Sequence, residues 1–120
     1  MPDALDILVV DDNPDVLSMF REILCLEGHR VRTFADGASA MADFQRAPAD
    51  LVIADLGMPE VTGWDVARSI REMSAQTPIV FVTAVGQGVD QKAVRRLRVS
   101  AVLRKPFRIS QIRKILQEIA

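Results

Sequence analysis

Apolar residues come in two alternating rhythms along this chain. Ile7-Leu8-Val9-Val10, Leu51-Val52-Ile53-Ala54 and Ile79-Val80-Phe81-Val82 are unbroken runs rich in β-branched residues, and Ala101-Val102-Leu103-Arg104 is a fourth. Short runs of this kind, separated by helix-length segments, read as buried strands of a parallel sheet. Between them the apolar positions fall at helical spacing. Asn13-Pro14 offers a capping side chain and a proline suited to the first turn. Val16, Phe20, Ile23 and Leu24 then form one stripe, and Gly28 ends the segment. Arg30 to Phe34 alternates polar and apolar residues, as an edge strand does, with arginines that discourage further pairing.

Asp36-Gly37 opens a second helix that turns Met41 and Phe44 inward and stops before Pro48. Thr62, with Asp65 three residues on, has the form of a capping box for a third helix with Val66, Ile70 and Met73 on its apolar side. A fourth, arginine-rich helix is predicted at about residues 89–98, after Gly86-Gln87-Gly88. Ile109, Ile112, Leu116 and Ile119, with Ile115 beside them, predict a fifth. Strand and helix alternate five times, so the expected architecture is α/β: a doubly wound, five-stranded parallel sheet with five helices in a single domain over residues 1–120.

Composition narrows the picture. At 49% hydrophobic and 26% charged, the chain is globular rather than disordered. Its one cysteine, Cys25, excludes an internal disulfide; set in Ile23-Leu24-Cys25-Leu26, it is expected to be a small core residue. No apolar stretch approaches the roughly 18 residues of a membrane span. Met1 to Asp6 lacks the basic start and apolar core of a signal peptide. A cytoplasmic protein with no membrane partner is the expectation.

The net charge of −1 hides an asymmetry: residues 1–60 carry 12 acids and 4 bases, residues 61–120 carry 4 acids and 11 bases. The balance argues against direct nucleic-acid binding. Lys92, Arg95, Arg96, Arg98, Arg108, Arg113 and Lys114 read as a solvated face or, more sharply, as a surface for an acidic partner.

The runs also end on residues with related chemistry: Asp11-Asp12, Asp55, Thr83 and Lys105. In an open α/β sheet the ligand crevice lies at the carboxyl ends of the strands, so these groups are expected to converge there. Carboxylates a few ångströms apart resist joint ionisation unless a cation neutralises them. A hard divalent ion suits them, and Mg²⁺ best, because it accepts a few carboxylates and completes its shell with water and phosphate oxygens. A carboxylate held there can attack phosphorus and form an acyl phosphate. Lys105 offers a mobile charge and Thr83 a hydroxyl for phosphoryl oxygens, and the Lys105-Pro106 bond is one that can be cis. His29, just after Gly28, is expected to be a surface or partly packed residue, away from that edge. Trp64 is expected to rest on the sheet or surface rather than to cover the site.

These motifs resemble those of the receiver domain of two-component response regulators, over essentially the whole chain. The matching residues are Val9-Val10-Asp11-Asp12-Asn13, Asp55-Leu56-Gly57-Met58-Pro59 with Gly63, Thr83-Ala84, and Lys105-Pro106-Phe107. The resemblance implies a flavodoxin-like strand order 2-1-3-4-5, with Val31 and Val102 in edge strands. It implies that Asp55 takes a phosphoryl group from the phosphohistidine of a sensor histidine kinase or phosphotransfer protein. Asp12 would bind Mg²⁺ directly, Asp11 would assist partly through water, and the Gly57 carbonyl would be a further ligand. Thr83 and Lys105 would hold the phosphoryl oxygens. The response is expected on the face formed by the fourth helix, fifth strand and fifth helix, toward an unidentified downstream partner; the oligomeric state is left open.

Two departures stand out. Where the family has an aromatic switch residue on the fifth strand, this chain has Val102, whose stiff side chain cannot swing as a ring does. A shifted or muted response is expected, with the loop Ala84 to Gly88 moving instead. Gly57 and Val85 would flank the route of hydrolytic water and offer it no polar side chain. Three rival readings are weaker. A small phosphohydrolase needs a second acid where Gly57 stands, and a flavin carrier would be repelled by Asp11-Asp12-Asn13-Pro14-Asp15. A degenerate receiver used only for binding would not need the full acidic, threonine and lysine set.

Overall fold

Strand and helix alternate as β1 (Asp6–Val10), α1 (Pro14–Leu26), β2 (Arg30–Phe34), α2 (Gly37–Arg46), β3 (Leu51–Asp55), α3 (Gly63–Met73), β4 (Ile79–Thr83), α4 (Gln91–Arg96), β5 (Ala101–Arg104) and α5 (Ile109–Ile119). The computed structural model describes residues 4–84 and 88–119; Val85, Gly86 and Gln87, in the loop before α4, lie outside them. All four strand pairings are parallel, in the order β2-β1-β3-β4-β5. The expected architecture and edge strands are therefore present.

Alternation along the strands divides the core into two layers. Leu8, Val10, Val52, Ala54 and Phe81 pack with Ala40 and Phe44 of α2 and with Val66, Ala67 and Ile70 of α3. Ile7, Val9, Ile53, Val80, Val82 and Leu103 pack with Phe20 and Leu24 of α1 and with Ile112 and Leu116 of α5. Trp64 lays its ring edge-on to Phe81, with centroids 4.9 Å apart, so it rests on the sheet as expected.

The helix ends follow their capping residues. The Asn13 side chain accepts from the Asp15 and Val16 amides, and Pro14 opens α1. Gly28, at φ 91°, supplies the left-handed turn after that helix. Both halves of the Thr62–Asp65 capping box are formed. On the α2 layer, Arg32 bridges Asp6 at 3.2 Å and also pairs with Asp43, which holds Arg46 as well.

Four expectations fail for geometric reasons. Cys25 is exposed, not a core residue. Successive helical residues point about 100° apart, so Leu24 takes the buried position while Cys25 and Leu26 turn outward; Leu26 is 82% exposed. Met73, in the last turn of α3, is likewise exposed, and Ile109 opens α5 half in solvent. The fourth helix is shorter than predicted: Asp90 caps it by accepting from the Lys92 and Ala93 amides, and Arg98 ends it at φ 55°. None of its residues is buried.

Candidate active site at the carboxyl edge of the sheet

Backbone ladders running one residue past the strands place the functional groups. The Asp11 amide donates to the Phe34 carbonyl at 3.1 Å, so the chain leaving β1 stays attached to β2. Asp55 sits opposite Val82 in register, and the Leu56 amide donates to the Val82 carbonyl at 2.9 Å. Across the β4–β5 pair, the Lys105 amide donates to the Thr83 carbonyl at 2.8 Å. Lys105 and Pro106 are joined by a cis peptide.

These attachments bring three carboxylates together. Asp11, Asp12 and Asp55 each present an oxygen, and the three atoms lie within 4.8 Å of one another. Asp11 and Asp55 are buried and Asp12 is exposed, so the cluster opens to solvent on one side. Lys105 reaches in from β5, its Nζ 3.5 Å from Asp11 Oδ2. Thr83 is fully buried at the end of β4. Asp55 Oδ1 accepts from the Gly57 amide at 3.2 Å, and Asp11 Oδ1 accepts from the Asn13 amide at 2.9 Å. Gly57 lies exposed in the turn after β3.

Burial pushes the Asp11 carboxyl above its ordinary range. The Asn13 amide opposes that rise, the Asp55 charge adds to it, and the Lys105 ammonium pulls against it. Asp11 Oδ2 is buried and has no hydrogen bond. A buried carboxylate oxygen whose one charged neighbour is the Lys105 ammonium at 3.5 Å, beside two more carboxylates and with no histidine or cysteine in the cluster among the described residues, fits a hard divalent cation. Mg²⁺ matches this donor set. His29 is not part of it: its Nδ1 accepts from the Leu5 amide at 2.9 Å, near the opposite edge of the sheet.

Gly63 contributes in a way that residue spacing did not reveal. The start of α3 packs so closely on the end of β3 that a Cβ there would lie 2.6 Å from the Asp55 carbonyl oxygen. Only glycine permits that approach, and it seats the loop carrying Asp55 and Gly57.

Comparison with known proteins agrees with this geometry. The chain matches the response regulator receiver domain over residues 7–117. It belongs to that family. It is 33% identical over 106 residues to the transcriptional regulatory protein TcrA of Mycobacterium tuberculosis, covering 88% of this chain and 42% of TcrA. It is 34% identical over 115 residues to the transcriptional regulatory protein CpxR of Klebsiella pneumoniae, covering 92% of this chain and 49% of CpxR. The chain thus spans about half the length of these relatives, or somewhat less.

Among solved structures, the chemotaxis protein CheY4 of Vibrio cholerae superposes with a TM-score of 0.88 at 30% identity, over 98% of this chain and all of CheY4. The receiver domain of the sensor histidine kinase PA1611 of Pseudomonas aeruginosa superposes at 0.85 with 29% identity, over 97% of each chain. That structure holds a magnesium ion in its active-site cleft. This receiver domain is accordingly a component of two-component signal transduction, with a CheY-like fold. Among its described residues no helix is long and apolar enough to cross a membrane.

Proposed function

We propose that this receiver accepts a phosphoryl group on Asp55 from the phosphohistidine of a sensor kinase or phosphotransfer protein. The observation that carries the reading is the meeting of Asp11, Asp12 and Asp55 within 4.8 Å, with Lys105 beside Asp11 and Thr83 at the adjoining strand end. Asp55 is the acceptor because it ends the central strand β3, and its Oδ1 is oriented by the Gly57 amide. Its free carboxylate oxygen attacks phosphorus, an O–P bond forms as the N–P bond breaks, and the electron pair returns to the imidazole. Asp11 and Asp12, with Asp55 and the Gly57 carbonyl, would hold Mg²⁺. When bound there, that ion neutralises charge on the phosphoryl oxygens.

Lys105 supplies a second positive charge and Thr83 a hydroxyl donor for the same oxygens. The product places an extra negative charge and new acceptor oxygens at one point of the crevice. Lys105 and Thr83, drawn toward them, pass the change to the ends of β5 and β4, and so to α4 and α5. Val102, partly buried against the α4 layer, carries no ring to relay it, so the change centres on the segment leading into α4. The face of α4, β5 and α5 then controls a downstream partner.

The test is intact-mass analysis after incubation with acetyl phosphate. The wild type gains one phosphoryl group only when Mg²⁺ is present, and Asp55→Asn gains none. Equal labelling without Mg²⁺, or in the Asp55→Asn protein, refutes the assignment; continuous release of phosphate over many turnovers replaces it with a hydrolase.

A further inference from the structure

Positive charge is left without a partner in one part of this molecule. Between Lys92 and Lys114 the chain places nine cations and not a single acid. Lys105 pairs with Asp11 in the site, and Arg113 reaches across to Glu27 of α1. The other seven are exposed and make no ion pair or side-chain hydrogen bond among the described residues. Elsewhere the chain behaves differently. Arg21 donates to Thr33 and Arg71 to the Leu97 carbonyl, while Arg32, Arg46 and Arg68 pair with aspartates; of these outlying arginines only Arg30 has no oxygen partner among the described residues.

Topology puts the unpartnered cations on one flank. β5 is an edge strand, α4 covers the sheet on one side and α5 on the other, so the three elements form a continuous border. Lys92 and Arg95 lie on α4, Arg104 ends β5, Arg108 immediately precedes α5 and Lys114 lies at its middle. The nearest acids in sequence are Asp90 and Glu118, and Asp90 is committed to capping α4.

We infer that the α4–β5–α5 flank docks an acidic protein segment rather than a second copy of this chain. A two-fold interface sets a surface against itself, and here that brings the seven unpaired cations against one another, with Glu118 the only acid that α5 offers in return. A nucleic acid is the poorer match, because the chain as a whole carries net −1 and its first half is strongly acidic. A carboxylate-rich segment meets the flank with opposite sign and avoids the rest of the molecule. The inference rests on the switch reading only in treating this flank as the output face; the docking itself does not require phosphorylated Asp55.

Binding is therefore measured on the unphosphorylated full chain, by anisotropy of a fluorescein-labelled glutamate-rich peptide and of the same peptide with every glutamate made glutamine. The glutamate peptide binds and the glutamine peptide does not, and affinity falls about fivefold or more between about 50 and about 250 mM salt. Arg95→Glu and Arg104→Glu each weaken binding about threefold or more. Arg30→Glu, an equal charge change on the opposite edge strand, shifts it less than about twofold. Equal losses from all three substitutions, or equal binding of the two peptides, overturns the inference. Tighter binding of a labelled DNA duplex overturns it in favour of nucleic acid. Self-association of the wild type that Arg104→Glu abolishes overturns it in favour of a second copy. Failure of phosphorylation with intact peptide binding removes the switch reading alone.

Discussion

Replacing Gly63 with alanine tests whether the close seat of α3 on β3 positions the acceptor loop. The added methyl would lie 2.6 Å from the Asp55 carbonyl oxygen and 3.0 Å from both the Asp55 carbonyl carbon and Leu56 Cα. All three are backbone atoms, pinned by the Leu56–Val82 hydrogen bond and by the register of β3 with β4. No flexible side chain can yield, so the substitution falls in the upper part of the overpacking range, about 2–3 kcal/mol. Alanine's better helix propensity offsets less than about 1 kcal/mol of that, leaving about 2 kcal/mol. At about 2.1 cal/mol/K per residue, the unfolding entropy of a 120-residue chain is about 0.25 kcal/mol/K. The midpoint should therefore fall by about 8 °C in a far-UV circular dichroism melt. Because the displaced atoms belong to Asp55 itself, phosphorylation by acetyl phosphate should slow as well. Gly88→Ala is the internal control: among the described residues no atom beyond its chain neighbours lies within 4 Å of its added methyl, so it should be neutral or stabilising by up to about 1 kcal/mol. A Gly63→Ala protein that melts within about 2 °C of wild type and is phosphorylated at the same rate would refute the reasoning.

Three further outcomes follow from the same structure. The hydrogen bond from Arg46, aided by the charge of Arg32, holds the Asp43 carboxyl below the ordinary carboxylate range. A lowered folded-state pKa gives stability that is complete above the unfolded value of about 3.9 and is lost as pH falls through the folded value. Asp43→Asn should therefore lower the melting midpoint at neutral pH, at a cost of about 1–2 kcal/mol, and match wild type once the pH is well below the lowered folded-state value; a gap that persists in strong acid contradicts this. Thr62→Ala removes the side-chain half of the α3 capping box and should cost about 1 kcal/mol in urea unfolding; an unchanged midpoint denies the cap its role. Hydrogen exchange with and without a phosphoryl mimic should change at the start of α4 and little along β5 around Val102, and a uniform change over α4, β5 and α5 counts against the muted relay.

Which features could be read in advance depended on how locally they are encoded. The strands were legible because Leu8, Val52 and Phe81 are apolar neighbours of apolar residues, a pattern only a sheet covered on both faces requires. Asn13, Asp36 and Thr62 announced helix starts because a cap acts within three residues. Asp11, Asp12, Asp55, Thr83 and Lys105 were legible as a group because parallel strands deliver their ends to one edge, whatever the loops between them do. Cys25 and Met73 were misread because hydrophobicity along a helix does not say which residue the stripe leaves outside. The length of α4 was overestimated because none of its residues is buried, so its ends are set by the Asp90 cap and the turn at Arg98 rather than by a core pattern. Gly63 stood out only through the family resemblance, and the physical reason for it becomes visible only when the Asp55 backbone is seen against it.

The most direct measurement is peptide mapping after acetyl phosphate treatment in Mg²⁺ and borohydride reduction, which converts an acyl phosphate on aspartate to homoserine. Homoserine is expected at position 55 alone, and absent when Mg²⁺ is withheld. Homoserine at position 11 or 12, or at 55 irrespective of the metal, would contradict the Asp55 assignment.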